Sequence, residues 1–219
     1  ETRRRIPVPR PLPILPAKEK NEIKEEKMVS SHPAPVPPEK TGPVVFDIET
    51  QFLAAEIPGG WNNLPGMRLA CAVVYDVEKD EYFVYREEHS AELVKHLQAA
   101  QVVIGFNSVR FDYGVLRGYT SFDLSKLPSL DLMLEVQKKL NHRLSLSHLA
   151  QQTLGTDKSA DGVQSVQWWR DGKEDQVIDY CKCDVKITHD LWKFGKEKGY
   201  VIFTHKGTGE KAKCPVEWT

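Results

Sequence analysis

PVVFDIET, residues 43–50, is an apolar run that ends in two acidic residues, Asp47 and Glu49. The run predicts a strand, and alternate residues of a strand point the same way. Both carboxylates are therefore expected to leave one face of the strand together. Two like charges held that close repel each other strongly in a partly buried site. The pattern predicts a cation between them, and a divalent metal ion is the natural candidate.

The sequence around this run predicts a mixed α/β domain. Strands are predicted over residues 44–48, 69–75, 81–85 and 102–106, with a loop over 51–67 and a small hairpin over 200–203 and 213–216. Helices are predicted after a Ser90 cap, from Phe111 to Gly118, and over residues 145–154 and 173–196. The first three strands are expected to form an antiparallel meander, and the all-apolar run 102–106 to be a buried parallel strand.

Residues 1–43 differ in composition from the rest of the chain. They hold ten of the fourteen prolines, and nine Lys/Arg against six Glu, so their net charge is +3. This composition predicts a disordered tail before a domain that spans residues 44–219. The tail is either a spacer or an arm that docks a partner such as a helicase, a polymerase or another repair protein.

Charge and cysteine usage narrow the class of protein. The net charge is -1, which argues against a strongly basic grip on nucleic acid over the whole molecule. The sequence contains no apolar run long enough to cross a membrane. The four cysteines have no zinc-finger spacing, which predicts reduced structural thiols in a cytoplasmic protein.

Two further motifs carry acidic residues. Asp112 follows the buried strand 102–106, and parallel sheets place functional groups at the carboxyl ends of their strands. Tyr180 and Asp184 are four residues apart in a predicted helix, so they share one face. Each residue also has a plain structural interpretation: a helix cap for Asp112, a core tyrosine for Tyr180, and a surface acid for Asp184.

Together, the three motifs resemble those of the DEDD superfamily of 3′–5′ exonucleases, which includes polymerase proofreading domains and the ribonuclease D group. The resemblance covers residues 43–194 in motif order and separation. A tyrosine at position 180 is similar to the tyrosine subgroup (DEDDy), including bacterial stand-alone exonuclease-like domains. Three residues separate Asn107 from Phe111, as in the proofreading domains of one polymerase class, whereas other members have two.

The resemblance implies a fold. That fold is ribonuclease H-like, with a mixed five-stranded central sheet of three antiparallel and then two parallel strands, flanked by helices. The small C-terminal hairpin is expected as an addition to it.

The resemblance also implies a role for each residue of the set. Asp47 would bridge two metal ions, with Glu49 and Asp184 completing the first site. Asp112 would hold the second ion, and Tyr180 would orient the attacking water. Carboxylate oxygens suit Mg²⁺ or Mn²⁺ rather than zinc. A phenol of ordinary pKa, about 10, is a poor base at neutral pH, so positioning is its expected contribution.

The implied activity is a metal-dependent 3′–5′ exonuclease that releases nucleoside monophosphates from single-stranded ends of DNA or RNA. Asn107, Phe111 and Lys158 are candidate substrate contacts, and each also has an ordinary structural interpretation. The alternative is a catalytically silent ribonuclease H-like module that binds nucleic acid or a protein. Four mutually repelling carboxylates argue against a silent module. The sequence does not choose between DNA and RNA.

Overall fold

The computed structural model describes residues 35–156 and 162–218, and most of the predicted tail, residues 1–34, lies outside them. A five-stranded mixed sheet forms the centre of the domain, with strand order β3-β2-β1-β4-β5. The strands are β1 (Thr41–Thr50), β2 (Leu69–Asp76), β3 (Glu81–Arg86), β4 (Ala100–Gly105) and β5 (Ser129–Asp131). The first three are antiparallel, and β4 and β5 run parallel to β1. The predicted ribonuclease H-like architecture is confirmed.

Helices flank the sheet, and a separate two-stranded hairpin follows the last one. The helices are α1 (Ser90–Ala99), α2 (Asp112–Leu116), α3 (Leu132–Leu140), α4 (Leu146–Leu154), α5 (Gly162–Arg170) and α6 (Glu174–Lys198). The hairpin consists of β6 (Tyr200–Thr204) and β7 (Lys211–Pro215), as predicted within two residues. Within the described residues, no helix is both long and apolar enough to span a bilayer.

The two faces of β1 pack into two different cores. Val44 and Phe46 belong to the core that contains α1, whereas Val45 belongs to the core under α6. Side chains alternate along a strand, so Asp47 and Glu49 lie on the same face as Val45. The same alternation that buries the strand therefore directs both acidic residues toward α6.

Several predicted boundaries differ from the structure. β1 begins at Thr41, three residues before the predicted strand. The predicted Ser90 cap is wrong, because His89 occupies the capping position and Ser90 is the first helical residue. No pattern in the sequence predicted β5, α3 or α5. β5 is only three residues long, which is too short to show an alternating pattern.

Candidate metal centre

Three carboxylates from β1 and α6 meet at the end of the central strand. Asp47, Glu49 and Asp184 each offer an oxygen, and these three oxygens lie within 4.8 Å of one another. Glu49 and Asp184 are buried, and Asp47 is half-buried. Charges this close in a partly buried site are strongly unfavourable unless a cation or proton compensates them.

The backbone explains why the two residues of β1 reach this point. Glu49 pairs with Cys71 of β2, and the register shifts between Glu49 and Thr50. Such bulges bend a strand and are frequent beside active sites. The shift ends regular pairing directly after the second carboxylate, at the carboxyl end of β1.

Helix α6 supplies the third carboxylate and the tyrosine. Tyr180 and Asp184 are one helical turn apart, both are buried, and both line the same cavity. The Tyr180 ring packs edge-to-face on Trp168 of α5, with ring centroids 6.1 Å apart. That contact fixes the plane of the ring and leaves the tyrosine beside the carboxylates.

Asp112 lies on the wall of that cavity, but it is not one of the three residues within 4.8 Å of one another. It is the first residue of α2 and is only 3% exposed. The pKa of Asp112 is raised to about 8, mainly by burial and to a smaller extent by the charge of Asp131. Hydrogen bonds from its own amide and from the Ile48 amide act in the opposite direction. A nearby cation would favour the deprotonated form.

Asp131 is a buried acidic residue that the sequence analysis missed. Its Oδ1 accepts from the Asn107 amide at 2.9 Å and its Oδ2 from the Val109 amide at 3.1 Å. The same carboxylate caps α3 by accepting from its second and third amides. The loop turns sharply above β4, where a side chain at Gly105 would place a Cβ 2.4 Å from Ser108 Oγ. Through the bonds from the Asn107 and Val109 amides, Asp131 holds the loop that leads to α2.

A neutral thiol lies beneath the carboxylates. Cys181 Sγ is 3.3 Å from the backbone oxygen of Asp47 and 3.7 Å from its Oδ2. Burial raises the pKa of Cys181 well above its ordinary value, and the neighbouring Cys71, Asp47 and Glu49 add to this effect. The thiol therefore donates weakly to Asp47 and adds no further negative charge.

Besides a cavity of about 410 Å³ whose lining includes Asp47, Asp184, Asn107 and Arg143, two adjoining cavities open around this centre. The first, of about 480 Å³, holds the carboxylates, Tyr180 and an apolar wall that includes Trp61, Phe106 and Phe111. The second, of about 320 Å³, is lined by Trp61, Leu64, Asn107, Arg110, Phe111 and Arg143. Asn107 and Phe111, both candidate substrate contacts, thus line the second cavity. The third candidate, Lys158, lies outside the described residues.

The donor set fits a hard divalent cation. All three clustered ligands are carboxylate oxygens, which Mg²⁺ and Mn²⁺ prefer, and the cluster contains no histidine or thiolate. The Asp112 carboxyl on the same wall offers a further oxygen. The residues present therefore suit the metal chemistry that the sequence predicted.

Comparisons with known proteins agree with this fold. A model of the RNase H superfamily matches residues 44–194. The crystal structure of Trypanosoma brucei RNase D is similar, with a TM-score of 0.50 and 14% sequence identity. The match covers 69% of this chain and 56% of that chain, so it spans little more than half of the RNase D length. At this identity the likeness shows a shared fold. No curated protein sequence matches this chain significantly.

Proposed function

This chain belongs to the RNase H superfamily, and we propose that it is a metal-dependent 3′–5′ exonuclease acting on single-stranded ends of DNA or RNA. The observation that carries the proposal is the meeting of Asp47, Glu49 and Asp184 within 4.8 Å. Tyr180 lies beside them on the same cavity. Superfamily membership and the carboxylate cluster support a nuclease; the direction of attack and the tyrosine subgroup are our proposal.

Two divalent ions, Mg²⁺ or Mn²⁺, are proposed as cofactors. Asp47, Glu49 and Asp184 would hold them, together with Asp112 on the same cavity wall. When bound, such ions activate a water molecule and stabilise the leaving 3′ oxygen of an in-line displacement. The protein supplies a fixed set of oxygen ligands and a half-enclosed site.

The chain's own residues orient the reaction. The Tyr180 hydroxyl is proposed to hydrogen-bond the attacking water and hold it in line with the phosphorus. The water oxygen forms a new bond to phosphorus as the bond from phosphorus to the 3′ oxygen breaks; the water releases a proton to solvent and the leaving 3′ oxygen takes one up. The products are a nucleoside 5′-monophosphate and a strand with a new 3′-hydroxyl, which can enter the next cycle.

Asn107 is the best supported of the three candidate substrate contacts. Its Oδ1 is buried and accepts no hydrogen bond from any residue that the structure describes. Its backbone has φ 64°, a left-handed conformation held by Asp131 through the Asn107 amide. We propose that this oxygen accepts from a sugar hydroxyl or a base. A contact from Lys158, and a partner docked on residues 1–43, stay predictions.

The test is the polarity of degradation. Single-stranded DNA and RNA of one sequence, labelled at the 5′ end, are incubated with the full chain and Mg²⁺ or Mn²⁺. The proposal predicts a ladder that shortens one nucleotide at a time and stops when the 3′ end is blocked. Internal cuts in a blocked or circular strand would indicate an endonuclease instead. No cleavage of either polymer would favour the silent binding module.

A further inference from the structure

Trp61 is an exposed tryptophan at the rim of the metal centre. Its side chain is 66% exposed, whereas Trp192 and Trp218 are each 5% exposed. Tryptophan is enriched at binding surfaces, so an exposed ring that lines the cavity of the candidate metal centre is a candidate contact residue. No sequence pattern singled out Trp61.

The loop that carries Trp61 is held in one conformation. Gly59 and Gly60 have φ 86° and 52°, which places the ring just after a left-handed turn. Asn63 Nδ2 donates to the Pro58 carbonyl at 2.8 Å and closes the turn. An ordered loop presents an exposed ring at low entropic cost to a ligand.

The base of the loop is anchored to the sheet. The backbone amide of Gln51 donates to the carbonyls of Met67 and Arg68. Arg68 in turn forms a two-pronged ion pair with Glu87. Glu56, further along the loop, pairs with Arg170 of α5. The loop is therefore attached to the sheet at its base and to α5 through Glu56.

Phe111 supports Trp61 from one side. Their ring centroids are 6.2 Å apart and their planes are inclined by 55°. Phe111 itself packs against the core beneath it. The two rings do not form a slot with a base between them. They form a braced platform on which the remaining surface of the Trp61 ring stays accessible.

The platform adjoins both the carboxylates and two arginines. Trp61 and Phe111 both line the cavity that contains the carboxylates and the adjoining cavity that contains Arg110 and Arg143. Arg110 and Arg143 are exposed. Arg143 also lines a cavity with Asp47 and Asp184. An aromatic surface beside both exposed cations and a candidate metal centre matches a nucleotide chain, whose bases and phosphates alternate.

We propose that Trp61, braced by Phe111, is a stacking platform for a base next to the scissile phosphate of a single-stranded end, with Arg110 and Arg143 contacting backbone phosphates upstream. This inference rests on the proposed exonuclease function and specifies its substrate. In a duplex the base next to the scissile phosphate is paired and stacked on its neighbour, and it must be unpaired before it can reach the Trp61 ring, so the platform favours single strands. Every base has such a face, so the platform is indifferent to sequence.

Binding without hydrolysis tests the platform. Fluorescence anisotropy with Mg²⁺ measures the affinity of the full chain for a 5′-fluorescein oligothymidylate, in an Asp47→Asn background that blocks the proposed reaction. Added to that background are Trp61→Ala, Trp61→Phe, and Phe52→Ala as the matched control. Phe52 is 37% exposed on the same loop and lines neither of the two cavities.

Stacking predicts that Trp61→Ala weakens binding of the single strand by about 5- to 100-fold. Trp61→Phe should retain most of the affinity, and Phe52→Ala all of it. A probe with abasic sites at its last three 3′ positions should bind Trp61→Ala and the Asp47→Asn background with equal, low affinity, because no base remains to stack. A blunt duplex should bind weakly to these two proteins as well.

Equal affinities of Trp61→Ala and Phe52→Ala for the single strand would overturn the platform. The unsubstituted chain is assayed for hydrolysis in parallel, so that the two proposals fail separately. Hydrolysis without a Trp61 effect leaves the exonuclease and removes the platform. Trp61-dependent binding without hydrolysis leaves the platform and removes the exonuclease. No binding of any strand, together with no hydrolysis by the unsubstituted chain, overturns both.

Discussion

Asp131 Oδ1 accepts a hydrogen bond from the backbone amide of Asn107, 24 residues earlier in the chain, at 2.9 Å. Its second oxygen accepts from the Val109 amide at 3.1 Å. The same carboxylate caps α3. One side chain thus joins the end of β5 to the loop that leads into Asp112, and so connects sheet geometry to the candidate site.

Replacing Asp131 by alanine is predicted to reduce both stability and activity. Four backbone amides lose a charged acceptor, which should lower the free energy of unfolding by about 3 kcal/mol or more. Urea unfolding measures this loss. Asp123→Ala is the matched control, because Asp123 is an exposed cap that accepts from the Ser125 amide. Comparable losses for both variants would mean that Asp131 is an ordinary cap.

Divalent metal ions are predicted to stabilise the folded chain. An ion that binds only the folded state adds about 2.7 kcal/mol when its free concentration is 100 times its dissociation constant. Thermal unfolding with and without Mn²⁺ measures the effect. Asp47→Asn should abolish most of it, whereas Asp175→Asn, an exposed change in the first turn of α6, should leave it intact. The same Mn²⁺ effect in both variants would place the metal elsewhere.

Tyr180→Phe is predicted to lower kcat by about 10- to 100-fold while KM changes little, because the hydroxyl positions the water and does not bind the strand. The fold reduction should be the same from pH 6 to pH 9, because positioning involves no proton transfer by the hydroxyl. Tyr82→Phe, on the outer strand β3, is the control. A reduction that varies steeply with pH would instead make Tyr180 a proton-transfer group.

Acid sensitivity is predicted to depend on His96. This side chain is fully buried and its Nδ1 faces the Tyr85 hydroxyl at 2.7 Å. Burial lowers the pKa of His96 from 6.5 to about 4, with Asp76 raising it and Lys79 lowering it to smaller extents. Between those values the unfolded chain binds a proton that the folded chain does not. Stability should therefore fall as the pH falls from 6.5 to 4, and this contribution should then level off.

His96→Gln removes that titration. The difference in unfolding free energy between the original chain and the variant should change by roughly 2–3 kcal/mol over this pH range. Urea unfolding at several pH values measures it. A constant difference would show that His96 takes up its proton equally in both states.

Regular spacing made the main features of the site predictable. Alternation along β1 was enough to place Asp47 and Glu49 on one face of that strand. Helical spacing was enough to place Tyr180 and Asp184 on one face of α6. In the structure the carboxylates of Asp47, Glu49 and Asp184 lie together, and Tyr180 lies beside them. Asp112 reaches the same cavity, but its distance from the others depends on how α2 packs, which spacing does not reveal.

Asp131, and Trp61 with its proposed stacking role, were not predictable in this way. Asp131 ends a strand of only three residues, which is too short for an alternating pattern to predict its position. Trp61 lies in a loop without periodicity, and its place beside Phe111 results from tertiary packing. The only sequence signals were an acidic residue before an amphipathic helix and an aromatic residue after two glycines.

The most direct test of the central claim compares release of nucleoside 5′-monophosphate by four proteins: the unsubstituted chain, Asp47→Asn, Asp184→Asn and Asp175→Asn. With Mg²⁺ or Mn²⁺ and a single-stranded substrate, the account predicts losses of at least about a thousandfold, or about 4 kcal/mol, for the two site variants. Asp175→Asn should release product at the original rate, and a chelator should stop it. Undiminished release by Asp47→Asn or Asp184→Asn would contradict the account.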